Sequence, residues 1–371
     1  MKLLVTLLCL ALLCLTLGQA ALAKDIISER KIPLEPGNWA REDRMQFGSY
    51  LGTPAAMLTG GPFAANGTDI TDGRIDVDIA MHGQRGFVGV TFRDAGDGNF
   101  ELVYLRPHKT RLPDALQYTP AINGLTGWQL YSNEGFTAAA ELPHNRWVHV
   151  ALEFVGDEAR VYIDNASEPA LVIPDLKGTT NRGAVGIWGR NVAHFANFKV
   201  TEYKPGQRSE PRFEAGQGVI DDWEISPVFE AATLPPAEIP SGITWTPATL
   251  EAPGMLNLSR YHAKLARNDR TNPDSNLDVI FARTTIRVDE AQRRKIWLGY
   301  SDEVTLYLNG KPVWEGRQAF AHRYPFSLGI VGLEQDAVWL DLEPGDNELT
   351  LAVGEIFGGW GFMAKFADPT E

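Results

Sequence analysis

Short runs in which apolar and polar residues alternate follow one another along most of this chain. Ile75, Val77 and Ile79 fall on one face of such a run, and Val148 and Val150 begin the apolar face of another. A period of two residues is the pattern of a strand that is buried on one face, whereas the 3.6-residue period of helices is nearly absent. The pattern therefore predicts an all-β fold.

The first half of the chain is predicted to form many short strands joined by Gly, Asp and Asn turns. Beyond the two runs above, strands are predicted at Phe87–Phe92, Phe100–Leu105, Arg160–Ile163, Ala184–Trp188 and Phe195–Val200. Short strands at this spacing are typical of a sandwich of two antiparallel sheets.

The second half repeats this pattern. Strands are predicted within Val219–Phe229 and at Val279–Val288, Lys295–Tyr300, Val304–Leu308, Lys311–Trp314, Ala337–Leu342, Asn347–Val353 and Trp360–Phe366. Asn309-Gly310 predicts a hairpin, because both residues tolerate the positive φ of a type I′ turn. The one helical segment that we predict is a short one around Leu258–Ala266.

Two interruptions divide the chain into modules. Residues 203–214 are polar and charged, and residues 227–253 are rich in proline, which disfavours regular structure. We predict a signal peptide at residues 1–23, a first sandwich at 24–205, a linker at 206–216 and a second sandwich at 217–371. The proline-rich part would be an insertion over the surface of the second sandwich.

The N-terminus has the three parts of a secretory signal, namely Lys2, the apolar run Leu3–Leu17 and the small-residue cleavage site Ala21–Ala23. The apolar run is shorter than the roughly 20 residues that cross a bilayer. We expect cleavage near Ala23 and a secreted or periplasmic mature chain without a transmembrane segment. Both cysteines, Cys9 and Cys14, lie in the signal, so cleavage would exclude disulfides, thiolate zinc sites and cysteine nucleophiles.

Several segments of the first half share a family pattern. They are Tyr104–His108, Asp114–Pro120, Gly127–Tyr131, Trp147–Val150, Val161–Asp164 and Gly183–Gly189. These segments resemble the concanavalin A-like lectin/glucanase superfamily in its laminin-G-like form. The resemblance covers about residues 45–202. It implies a jelly roll that binds sugars on its concave face or rim loops in many members, while other members bind proteins or only pack.

The second half carries a second resemblance. Its segments are Asp222–Pro227, Phe281–Ile286, Ser301–Gly310, Lys311–Gly316, Leu342–Leu349 and Gly358–Gly361. They resemble the galactose-binding-domain-like jelly rolls, which occur as non-catalytic modules beside sugar hydrolases and esterases. The two resemblances together imply an all-β protein with two antiparallel β-sandwich (jelly-roll) domains in tandem.

The candidate recognition surface is Gly98–Tyr131, a polar and aromatic-rich segment on the first sandwich. A sugar presents hydroxyl rims and apolar ring faces, so its site needs aromatic rings beside polar side chains. The candidate ligand-binding residues are Arg106, His108, Gln117, Tyr118 and Trp128. The alternative is structural: Tyr104, Trp128 and Tyr131 would be core residues, and Arg106 would pair with Asp114 to hold a long loop.

The sequence offers no catalytic pair. Glucanases of the superfamily carry two glutamates flanking an aspartate on one strand, and the nearest pattern here, Asp76-Val77-Asp78, lacks a third acid. The seven histidines lack zinc-site spacing, and no Gly-x-Ser-x-Gly elbow is present. We expect no cofactor, although Asp94–Asp97 and Ser301–Glu303 are compatible with structural calcium as well as with ordinary turns.

These observations favour a secreted, non-catalytic protein that binds carbohydrate or a glycosylated surface. One alternative is a polysaccharide-active glycoside hydrolase or lyase whose acids come from loops. The second alternative is a structural protein-interaction module. The formal net charge of −13 disfavours a phosphate-binding surface, so nucleic acid is not an expected partner.

Overall fold

The computed structural model describes residues 24–58, 60–190, 193–208, 213–230, 239–265 and 277–368. Within these ranges the chain is all-β, and its strands form four sheets in which every pairing is antiparallel. The predicted fold class is therefore confirmed. The predicted signal peptide lies outside the described residues. No helix in the described part of the chain has the length and apolar character needed to cross a membrane.

Strands β1 to β15 form a sandwich of two sheets. In chain order they are Ile26–Lys31, Met45–Tyr50, Thr53–Leu58, Gly60–Ala64, Asp72–Met81, Phe87–Asp94, Phe100–Leu105, Leu116–Ile122, Leu125–Thr126, Thr137–Ala138, Trp147–Val155, Glu158–Ile163, Leu171–Ile173, Ala184–Arg190 and Ala193–Tyr203. The first sheet has the order β13-β12-β11-β5-β15-β3-β2, with β1 also beside β15. The second sheet has the order β10-β8-β7-β6-β14-β4, with β9 also beside β8.

Strands β16 to β25 form the second sandwich. In chain order they are Trp223–Glu230, Thr246–Ala248, Leu256–Asn257, Asp278–Val288, Gln292–Ser301, Glu303–Leu308, Lys311–Arg317, Asp336–Leu342, Gly345–Glu355 and Gly361–Phe366. The third sheet has the order β17-β16-β19-β24-β21-β22, and the fourth has the order β18-β25-β20-β23. The predicted hairpin at Asn309-Gly310 is confirmed, since β21 pairs with β22 around it. The exact module boundaries stay a prediction.

The helix predicted at Leu258–Ala266 is wrong over its described residues. The structure has a single 3-10 turn there, Leu258–Arg260, and residues 262–265 have no regular structure. The Asn257 side chain accepts a hydrogen bond from the Ser259 backbone N–H at 3.0 Å and so caps this one turn. Because Leu256 and Asn257 pair with β25, the sheet fixes the direction of the chain. Ala266 lies outside the described residues.

The segment 98–131 contains a strand, β8, in addition to the strand predicted at Phe100–Leu105. Strand β8 lies between β7 and the short strands β9 and β10. Leu116 and Tyr118 alternate with Gln117 and Thr119, which is a strand pattern, but Pro120 within the same run is unusual in a sheet. The recognition segment is consequently part of the second sheet.

The side chains of strand β7 alternate between the core of the first sandwich and the candidate site. Val103 and Leu105 point into the core between the first two sheets. Leu102 and Tyr104 belong to a separate cluster on the opposite face of the second sheet. Because side chains alternate along a strand, every second residue of β7 faces outward, and this outward face forms the floor of the candidate site.

On the outer face of the first sheet, His149 lies between two carboxylates. Its Nδ1 is 2.8 Å from Asp78 Oδ1, and its Nε2 is 3.2 Å from Asp76 Oδ1. Hydrogen bonds with Asp76 and then Asp78 raise the pKa of His149 to about 9. The protonated ring is thus a bridge between strands β5 and β11.

We expect this bridge to make the folding stability pH-dependent. The pKa of a histidine in an unfolded chain is about 6.5, so the folded state retains a proton that the unfolded state releases between about pH 6.5 and 9. The contribution of His149 should be complete below pH 6.5 and lost as the pH rises through 9. Urea unfolding across this range should show a smaller fall in stability for His149→Gln than for the parent. Identical slopes in both proteins would contradict the assignment.

Candidate functional site

A cavity of about 350 Å³ lies on the outward face of the second sheet. One side is formed by residues of β6, β7, β8 and β14. The opposite side is formed by Phe320 and Leu328, from the segment between β22 and β23, and by Phe357 and Gly358, from the segment between β24 and β25. Both sandwiches therefore contribute to the cavity.

The floor of the cavity is aromatic. The ring centroid of Tyr104 lies 5.9 Å from that of Phe87 and 5.7 Å from that of Trp188. Leu102 extends this apolar surface. Burial raises the pKa of the Tyr104 hydroxyl to about 12, so the hydroxyl stays protonated. The three rings offer apolar faces beneath any ligand.

The wall of the cavity is a second aromatic cluster. The ring centroid of Trp128 is 6.2 Å from that of Phe320 and 6.3 Å from that of Phe357. Phe320 and Phe357 are also neighbours, with centroids 6.1 Å apart. Trp128 thus belongs to the first sandwich but packs against rings of the second. The structure places it where it can stack on a ligand above the floor.

Arg106 lines the cavity, but its two terminal nitrogens, Nη1 and Nη2, are already bonded. Its Nη1 donates to Asp114 Oδ2 at 2.9 Å and to the Asp114 carbonyl at 3.0 Å. Its Nη2 donates to the Tyr104 hydroxyl at 2.9 Å and also to Gln117 Oε1. The pairing of Arg106 with Asp114, which the structural alternative predicted, is therefore present. Arg106 adds positive charge to the cavity and fixes the neighbouring side chains.

Gln117 forms hydrogen bonds that hold neighbouring residues of the site in place. Its Nε2 donates to the backbone carbonyls of Trp128 at 2.9 Å and Tyr131 at 2.7 Å. Its Oε1 accepts a hydrogen bond from the Tyr104 hydroxyl at 2.7 Å. Since Gln117 is almost fully buried, we assign it to positioning Trp128 and Tyr104 and not to direct contact with a ligand.

Tyr118 lies on the opposite face of β8. It is fully buried in the core of the first sandwich, where its hydroxyl donates to Glu101 Oε2 at 2.6 Å and accepts from the Lys177 backbone N–H at 2.5 Å. Alternation along the strand places Gln117 and Thr119 outward and Tyr118 inward. The structure therefore separates Tyr118 from the residues that can touch a ligand.

His108 lies at the edge of the cavity beside Phe87, with ring centroids 5.5 Å apart. Burial lowers the pKa of His108, and the positive charges of Arg85, Lys109 and Arg106 lower it further. Its buried Nδ1 makes no hydrogen bond with any described residue. The ring of His108 therefore lines the edge of the cavity with a lowered tendency to take up a proton.

Gln129 joins the two sandwiches directly behind the wall. Its Nε2 donates to Asp302 Oδ1 at 3.2 Å, and its Oε1 accepts from the Ser301 hydroxyl at 3.2 Å. The backbone also crosses here, since the Gln129 N–H donates to the Gly358 carbonyl at 2.9 Å. These bonds fix Trp128 relative to the segment that carries Phe357.

The second sandwich approaches so closely because Gly358 and Gly359 lack side chains. A Cβ atom at Gly358 would lie 2.1 Å from Gln129 Oε1, and one at Gly359 would lie 2.7 Å from Leu130 Cγ. The two glycines are visible in the sequence, but the sequence does not identify the neighbour that approaches them. This glycine pair was the available signal that Phe357 belongs to the site.

Carboxylates are not part of the cavity surface. Among the described residues that line it, none is Asp or Glu, whereas Arg85, Arg106 and Lys109 are cationic. Two acids behind the wall, Asp302 and Glu355, are fully shielded from solvent. Burial raises the pKa of both acids, and Asp302 raises that of Glu355 further.

The two acidic clusters considered for calcium have other partners. Asp94 Oδ1 accepts the Gly96 N–H at 2.8 Å, and Asp97 Oδ1 accepts the Asn99 N–H at 3.0 Å, which is ordinary turn chemistry. Asp302 accepts hydrogen bonds from the backbone N–H groups of Ile356 and Phe357. Over the described ranges, the side chains form no group of three or more His, Cys, Asp or Glu that could hold a metal ion.

No known protein family matches the chain, and no curated protein matches it either. Solved structures with partial similarity include the carbohydrate-binding module CBM66 from Bacillus subtilis, with 17% identity over 44% of this chain and 94% of that one, and a TM-score of 0.34. A Bacillus subtilis protein of unknown function with a galectin-like fold has 14% identity over 49% and 98%, with a TM-score of 0.35. The Caenorhabditis elegans galectin LEC-6 has 8% identity over 44% and 98%, with a TM-score of 0.29. None of the three bears on the ligand of this chain.

Proposed function

We propose that this chain is a secreted, non-catalytic protein that binds carbohydrate in the cavity between its two sandwiches. The observation that carries the proposal is the combination of two aromatic surfaces with polar side chains at one cavity. The floor and the wall supply ring faces, and His108, Lys109 and Arg85 supply hydrogen-bonding groups. Sugars need this combination because each ring has apolar faces and a rim of hydroxyls.

The cavity is large enough to hold a small segment of an oligosaccharide. Its volume of about 350 Å³ lies near the lower end of the roughly 300–1,000 Å³ typical of ligand pockets. A sugar unit lying on Tyr104 and Trp188 would have Trp128 beside it. The remaining units of a longer chain would extend over the rim into solvent.

Binding is favoured over hydrolysis by the chemistry of the lining residues. Glycoside hydrolases need two carboxyl groups about 5–5.5 Å or roughly 6.5–9.5 Å apart on either side of the bond that breaks. The described lining residues contain none. Asp302 and Glu355 cannot act as this catalytic pair, because both are fully buried. They accept hydrogen bonds from the backbone N–H groups of Ile356 and Gly359, respectively.

An oligosaccharide array followed by calorimetric titration with the purified protein tests the proposal. We expect binding to at least one class of oligosaccharide, one site per chain and no change in the sugar after long incubation. Absence of binding across neutral and acidic oligosaccharides would overturn the proposal. Turnover would instead support a hydrolase or lyase, and a protein ligand that free sugar fails to displace would support an interaction module.

A matched pair of phenylalanines on one segment gives a sharper test. Phe320 lines the cavity, whereas Phe326, six positions further along, is 88% exposed and is not among the lining residues. We expect Phe320→Ala to weaken oligosaccharide binding about tenfold, because it removes a ring from the wall. Phe326→Ala should bind like the parent. Equal affinities in calorimetric titrations of both variants would show that the wall does not contact the ligand.

A further inference from the structure

The charges around the cavity differ in sign from those of the protein as a whole. The chain has a formal net charge of −13, yet the lining residues include Arg85, Arg106 and Lys109 and, among the described residues, no acid. Among the described residues, Asp114 is the one carboxylate bonded to these cations, and it is shared by Arg106 and Lys109. Three cations against one carboxylate leave two positive charges at the cavity. A local field of this kind selects for an anionic ligand.

Arg85 is the cation best placed for direct contact. It lies in the exposed turn between β5 and β6, and it makes no hydrogen bond or ion pair with any described residue. Arg106 differs, since its Nη1 and Nη2 atoms are bonded to Asp114, Tyr104 and Gln117. A guanidinium with all its donors unused matches the planar geometry of a carboxylate or the oxygens of a sulfate ester.

We propose that the preferred ligand is an acidic oligosaccharide, whose carboxylate or sulfate ester is bound by Arg85 while its ring stacks on the aromatic floor. This inference rests on the proposed carbohydrate-binding function and specifies its ligand class. Lys109, on the same side of the cavity as His108, adds a second cation near the anionic group. The negative charge of the rest of the protein disfavours unspecific adsorption of polyanions, so the attraction is local.

An array of paired oligosaccharides tests the inference. It carries uronate oligosaccharides beside their carboxyl-reduced counterparts and sulfated oligosaccharides beside their desulfated counterparts. We expect at least one acidic member to bind about tenfold or more tightly than its neutral counterpart, with an affinity that falls as the salt concentration rises. The two pairs identify which anionic group is recognised. Equal affinities within every pair would overturn the inference and leave carbohydrate binding intact. No binding in any pair would remove the proposed function and the inference together.

A substitution at Arg85 tests whether this side chain contacts the anionic group of the ligand. Arg85→Gln should weaken binding of the acidic oligosaccharide about tenfold more than binding of its neutral counterpart, since it removes a charge-assisted hydrogen bond that only the anionic group can accept. Arg111→Gln is the matched control, because Arg111 is an exposed arginine of the same sandwich that pairs with Glu141 and does not line the cavity. An equal loss for acidic and neutral ligands in Arg85→Gln, or an equal loss in Arg111→Gln, would contradict the assignment.

Discussion

Replacing Trp128 with alanine is expected to weaken oligosaccharide binding about 30- to 900-fold, equivalent to roughly 2–4 kcal/mol. The ring of Trp128 is the element of the wall that connects the two sandwiches, with centroids 6.2 Å from Phe320 and 6.3 Å from Phe357. Its removal would delete one stacking face and also leave the two phenylalanine rings without their neighbour. Calorimetric titration of the variant against the best oligosaccharide measures the loss.

Two further variants separate stacking from general damage to the fold. Trp128→Phe keeps an aromatic face and should recover most of the affinity. Trp339→Ala removes a tryptophan that is 49% exposed on β23 and stacked by Arg293 outside the cavity, so its affinity should equal that of the parent. If Trp128→Ala bound within twofold of the parent while remaining folded, the wall would not be part of the binding site.

The sequence predicted residues that the first sandwich contributes to the cavity, but none of those that the second sandwich contributes. Arg106, His108 and Trp128 were proposed as ligand contacts because they lie in one polar, aromatic segment, and all three line one cavity. Local alternation also determines that Tyr118 faces the core once Leu116–Ile122 is recognised as a strand. That strand was obscured by Pro120, which has no N–H to donate to a neighbouring strand.

The wall residues of the second sandwich could not be predicted, because their position depends on contacts between distant parts of the chain. Phe320 and Phe357 are separated from Trp128 by about two hundred residues, and no local pattern determines which face of one sandwich meets the other. The side chain of Gln129 and the absent side chains of Gly358 and Gly359 set this contact. Alternation within a strand says which way a residue points, but it does not say which remote segment covers it.

Replacing Asp302 with alanine is expected to lower the free energy of unfolding by about 2–4 kcal/mol and to weaken ligand binding as well. Asp302 is fully buried; its Oδ2 accepts the backbone N–H groups of Ile356 at 2.9 Å and Phe357 at 3.1 Å, and its Oδ1 accepts from Gln129 at 3.2 Å. Each buried donor left without an acceptor costs about 1–3 kcal/mol. Relief of the repulsion between Asp302 and Glu355 offsets part of this loss.

The expected loss of ligand binding in Asp302→Ala follows from the position of the groups that donate to Asp302. The N–H of Phe357 and the side chain of Gln129 hold the wall segment against Trp128, so their release should displace Phe357 from the cavity. Asp302→Asn, which keeps an acceptor oxygen, should lose less stability than Asp302→Ala. Asp341→Ala serves as the control, because the Asp341 side chain is 83% exposed on the fourth sheet. Urea unfolding and calorimetric titration of the three variants measure both effects. Parent-like stability and affinity in Asp302→Ala would show that the contact between the sandwiches does not shape the site.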